Sequence, residues 1–93
     1  MEWDEIRTAT RVRCVEGLSI PSYEDEEKEV VAFIKGKEYP TRIGSFCPFP
    51  NQTPRRALYV PKNEAGYRHF IAVEGDNNEY FSRHFEIVRR GRK

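Results

Sequence analysis

The stretch from Tyr67 to Val88, YRHFIAVEGDNNEYFSRHFEIV, decides the fold of this 93-residue chain. Tyr67 to Glu74 is rich in aromatic and β-branched residues and reads as a strand. Gly75-Asp76-Asn77-Asn78 follows, four residues that tolerate positive φ and give the clearest hairpin signal in the sequence. Glu79 to Phe81 is then expected to pair back, Ser82-Arg83-His84 to reverse the chain, and Phe85 to Val88 to form the last strand. Short strands joined by tight turns predict an all-β domain.

The same pattern continues upstream. Ala57 to Val60 reads as a strand and Pro61 to Gly66 as a turn. Residues 44–56, GSFCPFPNQTPRR, hold three prolines and exclude a regular helix, because each Pro pushes the residue before it to extended geometry. In FIKGKEYPTRI (33–43) a Gly-Lys turn precedes Tyr39, Thr41 and Ile43 at period two, and Pro40 implies an edge position or a bulge. TRVRCVE (10–16) alternates Val12 and Cys14 with Arg11 and Arg13, and Gly17 ends it. Residues 18–29, LSIPSYEDEEKE, read as a long loop. A short helix over 22–34 is the alternative there, with Ser22 as cap and acidic residues in its first turn, although Val30 and Val31 favour a strand. Trp3, Ile6 and Ala9 are spaced for one helical turn laid on the domain, or for a partly ordered arm.

These elements divide the chain into an arm (1–9), one domain (10–89) with an inserted loop (44–56), and a basic tail (90–93). Five or six short strands with at most one brief helix fit a small, strongly bent antiparallel barrel. The residue palette agrees: six Phe, five Tyr, one Trp, and Leu only at Leu18 and Leu58. No apolar run approaches the roughly 18 residues of a membrane helix. MEWDEIRTAT carries no visible export signal, so a cytoplasmic setting with Cys14 and Cys47 reduced is expected, and the sequon Asn51-Gln52-Thr53 carries no weight.

The order of motifs resembles SH3-like barrels, through Phe33, Gly36, Lys37 and Tyr39 in the turn and Phe85, Glu86 and Val88 at the end. More narrowly, Gly75-Asp76-Asn77-Asn78 followed by Tyr80 and Phe85-Glu86 is similar to small SH3-like proteins encoded by bacteriophages and prophages. That resemblance implies a viral or mobile-element setting and a host protein complex as partner. It brings no catalytic residue and no cofactor. Pro40 and the insert at 44–56 depart from its pattern.

Catalytic constellations are weak in the residues themselves. Cys14 sits inside a strand, and Cys47 has only His69 or His84 as conceivable bases. No Gly-rich phosphate loop or metal motif occurs. The expectation is therefore a non-catalytic binding module without cofactor or metal. Phe46 and Phe49, held between prolines, either dock a partner or fold back as a plug; Tyr23, Arg55 and Arg56 complete the contact set. The acidic run Glu24, Asp25, Glu26, Glu27 is a secondary binding element. Nucleic acid is the alternative partner. The near balance of 16 basic and 15 acidic residues hides an acidic first half and a basic second half. In that second half Arg55, Arg56, Tyr59, Tyr67, Arg68 and His69, with the RRGRK tail, interleave cations and rings.

Overall fold

A computed structural model describes residues 2–22, 24–25, 27–47 and 49–89. The chain forms helix α1 (Trp3–Ile6), then strands β1 (Arg11–Cys14), β2 (Leu18–Pro21), β3 (Glu29–Phe33), β4 (Glu38–Pro40), β5 (Arg42–Phe46), β6 (Arg55–Val60) and β7 (His69–Val73). Helix α2 (Glu79–His84) and strand β8 (Phe85–Ile87) complete it. All strand pairs are antiparallel. The all-β reading holds, with eight strands among the described residues rather than five or six. They do not close into a barrel: the ladders run β4-β1-β8, β2-β3 and β5-β6-β7 as three separate sheets.

Local chemistry explains where the structure departs from the sequence reading. The loop expected at 18–29 contains β2, whose Ile20 pairs with Val30 while Leu18 and Ile20 pack on the core. No described residue between Ser22 and Phe33 is helical. The continuous strand expected through Tyr39, Thr41 and Ile43 breaks at Thr41. Its amide and hydroxyl both donate into the segment before β1, to Thr10 O at 3.0 Å and Ala9 O at 3.1 Å. The chain thereby leaves one sheet as β4, an edge strand ending in Pro40, and enters another as β5.

The second departure lies after β7. Asn78 adopts the left-handed region (φ 57°), its Oδ1 accepts from Val73 N at 2.9 Å, and its Nδ2 donates to Asp76 O. This closed turn uses the donor that a returning strand would need. Glu79 to Phe81 therefore enters α2, with Glu79 in the first turn and Arg83 and His84 in the last, where they suit the helix dipole. The expected inserted loop also shortens, because residues 44–46 belong to β5 and Arg55 and Arg56 open β6.

The core joins all three sheets and α1. Trp3, Ile6 and Ala9 are all buried, so the N-terminal turn packs as a core element. At the centre, the Phe33 ring meets Tyr39 (5.0 Å, 88°) and Phe85 (4.9 Å, 89°) edge-on and lies 4.8 Å from the ring of His69. The Tyr39 hydroxyl donates to Glu64 Oε2 at 2.8 Å and accepts from Ile34 N at 2.8 Å, and Lys37 pairs with the same carboxylate. Burial pushes the Tyr39 phenol up to about 12, and the Lys37 ammonium with the Tyr39 hydroxyl holds Glu64 below its usual value.

Truncating Phe33 to Ala removes a ring shared by three sheets at a fully packed position. Urea titration followed by far-UV circular dichroism is expected to show a loss of about 3–5 kcal/mol. A loss below about 1 kcal/mol would mean that the sheets do not depend on this ring.

Candidate functional site

Strands β5, β6 and β7 form one sheet with two unlike faces. Leu58 and Val60 point into the core. The opposite face carries rings: Phe46 packs on Phe70 at 5.1 Å, and Tyr59 packs on Phe70 at 5.5 Å. Register and alternation place these side chains together. Phe46 pairs with Arg55, Gly44 with Ala57, Arg42 with Tyr59, and Tyr59 with Phe70. Small residues make the room. A Cβ on Gly44 would come within 2.8 Å of Tyr59 Cε1, so the ring lies directly over the glycine.

Arginines complete this face. The Arg68 guanidinium lies 5.6 Å from the Tyr59 centroid and 5.5 Å from that of Phe70, within cation–π range of both. Arg42 stands opposite Tyr59 on the same side. Among the described residues no carboxylate pairs with Arg42 or Arg68. Arg55 differs: it is held by Asp76 at 2.9 Å and by Glu74 O at 3.2 Å. Two hollows flank Phe70. One, of about 390 Å³, is bordered by Ile20, Ser22, Tyr67 and Arg68; the other, of about 440 Å³, by Phe46, Asp76, Glu79 and Tyr80.

The structure brings together part of the residue set expected from sequence. Phe46 and Arg55 share the ring face. Arg56, one residue on, turns to the other side of β6 and pairs with Ser45. Phe46 is half-buried against Phe70, while Phe49 in the β5–β6 loop is 58% exposed, so the two do not form a plug. Glu24, Asp25 and Glu27 lie in the β2–β3 connection, where Asp25 accepts from Glu27 N and faces Lys28 at 4.0 Å. Tyr23, Glu26 and the tail from Arg90 lie outside the described residues. Arg42 and Phe70 escaped the sequence reading. For Phe70 the alternation of Arg68 and Phe70 with Tyr67 and His69 is the available signal, and only the β6–β7 register shows which side it takes; Arg42 is placed by the β5–β6 register alone.

Beside the rings, His69 is fixed by its neighbours. Asn63 is buried, and its Oδ1 accepts from Ala65 N (2.9 Å) and Tyr67 N (3.0 Å). That leaves Nδ2 to donate to His69 Nδ1 at 3.1 Å, so the neutral ring carries its hydrogen on Nε2 and donates it toward the Tyr80 hydroxyl at 3.3 Å. Burial lowers the pKa of His69, and a proton on Nδ1 would meet the Asn63 donor. Partial burial also pushes the Tyr80 phenol up to about 12.

Among the described residues, ion pairs join the two oppositely charged halves of the sequence. Arg13 of β1 pairs with Glu86 of β8 and Glu38 of β4, Arg89 with Glu5 at 3.2 Å, and Lys37 with Glu64. Both cysteines are free, Cys14 buried and Cys47 exposed with its thiol directed at Phe49 O and Gln52 O. Among the described residues no group of three or more His, Cys, Asp or Glu side chains is arranged to hold a metal ion. No described helix is long and apolar enough to cross a membrane. Comparison with protein-family models, with curated proteins and with solved structures gives no match.

The depressed pKa of His69 gives a signed pH dependence. The folded state favours the neutral ring, so this contribution to stability is complete above about pH 6.5, the unfolded value. It is lost as pH falls through the lower folded value. Thermal melts at pH 7.5 and pH 5 are expected to differ less for His69→Phe than for the wild type. Equal pH sensitivity of the two proteins would show that His69 does not carry it.

Proposed function

We propose that this protein is a non-catalytic binding module that docks a protein partner on the outer face of β5–β7. One observation carries the reading: Arg68 spans Tyr59 and Phe70 with no carboxylate paired to it among the described residues. A guanidinium backed by rings and open to a partner, with a hollow of mixed polar and apolar lining on each side, is an arrangement of the kind that dominates interface energies. The complementary surface is a segment presenting a carboxylate beside an apolar side chain. Arg68 takes the acid and the hollow next to Phe70 takes the apolar group. Arg42 extends the contact along β5, and the exposed Phe49 in the β5–β6 loop offers a further apolar side chain. In the setting that the sequence resemblance implies, the partner belongs to a host complex, and occupying its surface blocks or modulates that complex.

Single-stranded nucleic acid is the second reading, because rings overlaid by arginine on a sheet also suit base stacking. Local charge favours the protein. Asp76 and Glu79 border the hollow at the Phe46 end, and Asp76 already holds Arg55. On the ring face, Arg42 and Arg68 are the arginines without a carboxylate partner among the described residues, and two phosphate contacts supply little of the counterion release behind such binding.

Capture from a lysate of the native cell, with and without nuclease, is expected to recover a nuclease-resistant partner. Arg68→Glu should weaken its binding by about 2 kcal/mol or more, roughly thirtyfold in Kd. Its melting temperature should stay close to that of the wild type, because Arg68 is exposed. Recovery that vanishes with nuclease, together with salt-sensitive binding of a labelled oligothymidine, would transfer the face to nucleic acid.

A further inference from the structure

Proteins usually protect the edges of their sheets, and among the described residues of this chain every edge strand but one carries such protection. Strand β4 is three residues long and ends in Pro40, and β2 ends in Pro21. The outer side of β3 is occupied where Glu64 N donates to Ala32 O at 2.9 Å. At β7 the register shifts, Asn78 takes the Val73 amide, and α2 packs alongside. Strand β8 has three residues. Strand β5 has five, in unbroken register with β6, contains no proline, and has no second neighbour among the described residues.

The direction of its free groups follows from the ladder. Arg56 O accepts from Glu74 N, so the backbone of Arg56 faces β7 and those of Arg55 and Ala57 face β5. Their partners Phe46 and Gly44 turn inward to β6. The N–H and C=O of Ile43 and Ser45 therefore point out from the edge. Ile43 shares a face with the core residue Leu58, its partner, yet remains 42% exposed. An inward-facing charge at such a position is a common guard against edge pairing, and here the residue is apolar.

We infer that β5 pairs antiparallel with β5 of a second copy of the chain, about a two-fold axis at Gly44. This register uses all five residues. Ile43 stands opposite Ser45 of the second copy and exchanges both backbone bonds with it, and symmetry repeats the pair. The two Ile43 side chains become diagonal neighbours and cover each other. On the ring face Arg42 meets Phe46 of the second copy, a cation against a ring, while the two Arg42 charges stay at opposite ends. A register centred on Ile43 instead sets Ser45 against Thr41, outside the strand, and loses the Arg42–Phe46 pair. The result is a six-stranded sheet with two copies of the docking face side by side. One strand pair buries less than the ~1,000 Å² of a stable complex, so the association depends on concentration.

This pairing goes beyond the docking reading and does not need it, since Arg68 takes no part in it. The test combines sedimentation with amide hydrogen exchange, from micromolar to near-millimolar protein. The mass is expected to rise toward twice that of one chain, and exchange at Ile43 and Ser45 to slow by at least about tenfold. Gly44 and Phe46, bonded to β6, should be protected throughout. Ile43→Lys should keep the spectrum and the Gly44 protection and remain a monomer. A single-chain mass across the range overturns the inference. So does a dimer in which Ile43 and Ser45 exchange at unchanged rates. Should Ile43→Lys fail to fold, the wild-type exchange data decide alone.

Discussion

The ring of Phe33 touches all three sheets: it belongs to β3, meets Tyr39 of β4 and Phe85 of β8 edge-on, and lies against His69 of β7. A chain of this size buries a modest fraction of its surface and builds one core. With no closed ladder, the sheets are joined mainly by side chains, with the Glu64 N–Ala32 O bond as a backbone link from the β6–β7 connection to β3. Edge-to-face rings suit that role, because each ring presents its positive edge to another's negative face and fixes the angle between elements. Ile6 and Trp3 of α1 close the same core from the N-terminal side, which is why so short a helix is ordered. Four residues of helix are marginal in water, and here tertiary packing supplies the stability.

Much of the strand content was legible, and the failures share one cause. Alternation in residues 10–16 located β1, which has one buried and one wetter face, and the apolar run Ala57 to Val60 located the buried half of β6. Tyr39, Thr41 and Ile43 also alternate, but the long-range bonds from Thr41 to Thr10 and Ala9 divide that run between two sheets. Such bonds leave no mark on local periodicity. Likewise Gly75-Asp76-Asn77-Asn78 turns the chain without forming the expected hairpin, because the Asn78 side chain reaching back to Val73 sets the exit direction and helix α2 follows. The docking face was half legible for the same reason. Phe46 and Arg55 could be named from composition, but Arg56 is its equal in sequence and is turned away by the pleat. Phe70 joins the set only through the register shift between β6 and β7.

Near-neutral net charge takes on a different meaning in the folded chain. The acidic and basic halves of the sequence are adjacent along β1, β4 and β8, where Arg13 draws on Glu38 and Glu86. Exposed pairs of this kind add little stability. They do consume charge, however, and so determine which cations stay available. Arg13, Arg55, Lys37 and Arg89 have carboxylate partners; Arg42 and Arg68 on the ring face have none among the described residues, and neither do Lys35, Arg56, Lys62 and Arg83 elsewhere. The electrostatic character of the protein is thus set by the pairing pattern, not by the sum of its charges.

The loop from Pro61 to Arg68 links this face to the core. Asn63 is held from within the loop by the amides of Ala65 and Tyr67, and its remaining donor orients His69, which stacks with Tyr80 at 6.4 Å and 12°. One residue along, Glu64 receives Tyr39 and Lys37 and donates its own amide to β3. The segment that delivers Arg68 to the rings is therefore fastened to both of the other sheets by buried or half-buried polar groups. A guanidinium on a free loop would lose side-chain and backbone entropy on docking; one carried by this anchored segment has lost much of it on folding. Rigid support under an exposed arginine is what separates a recognition face from an ordinary charged surface, and in this chain that support comes from Asn63 and Glu64.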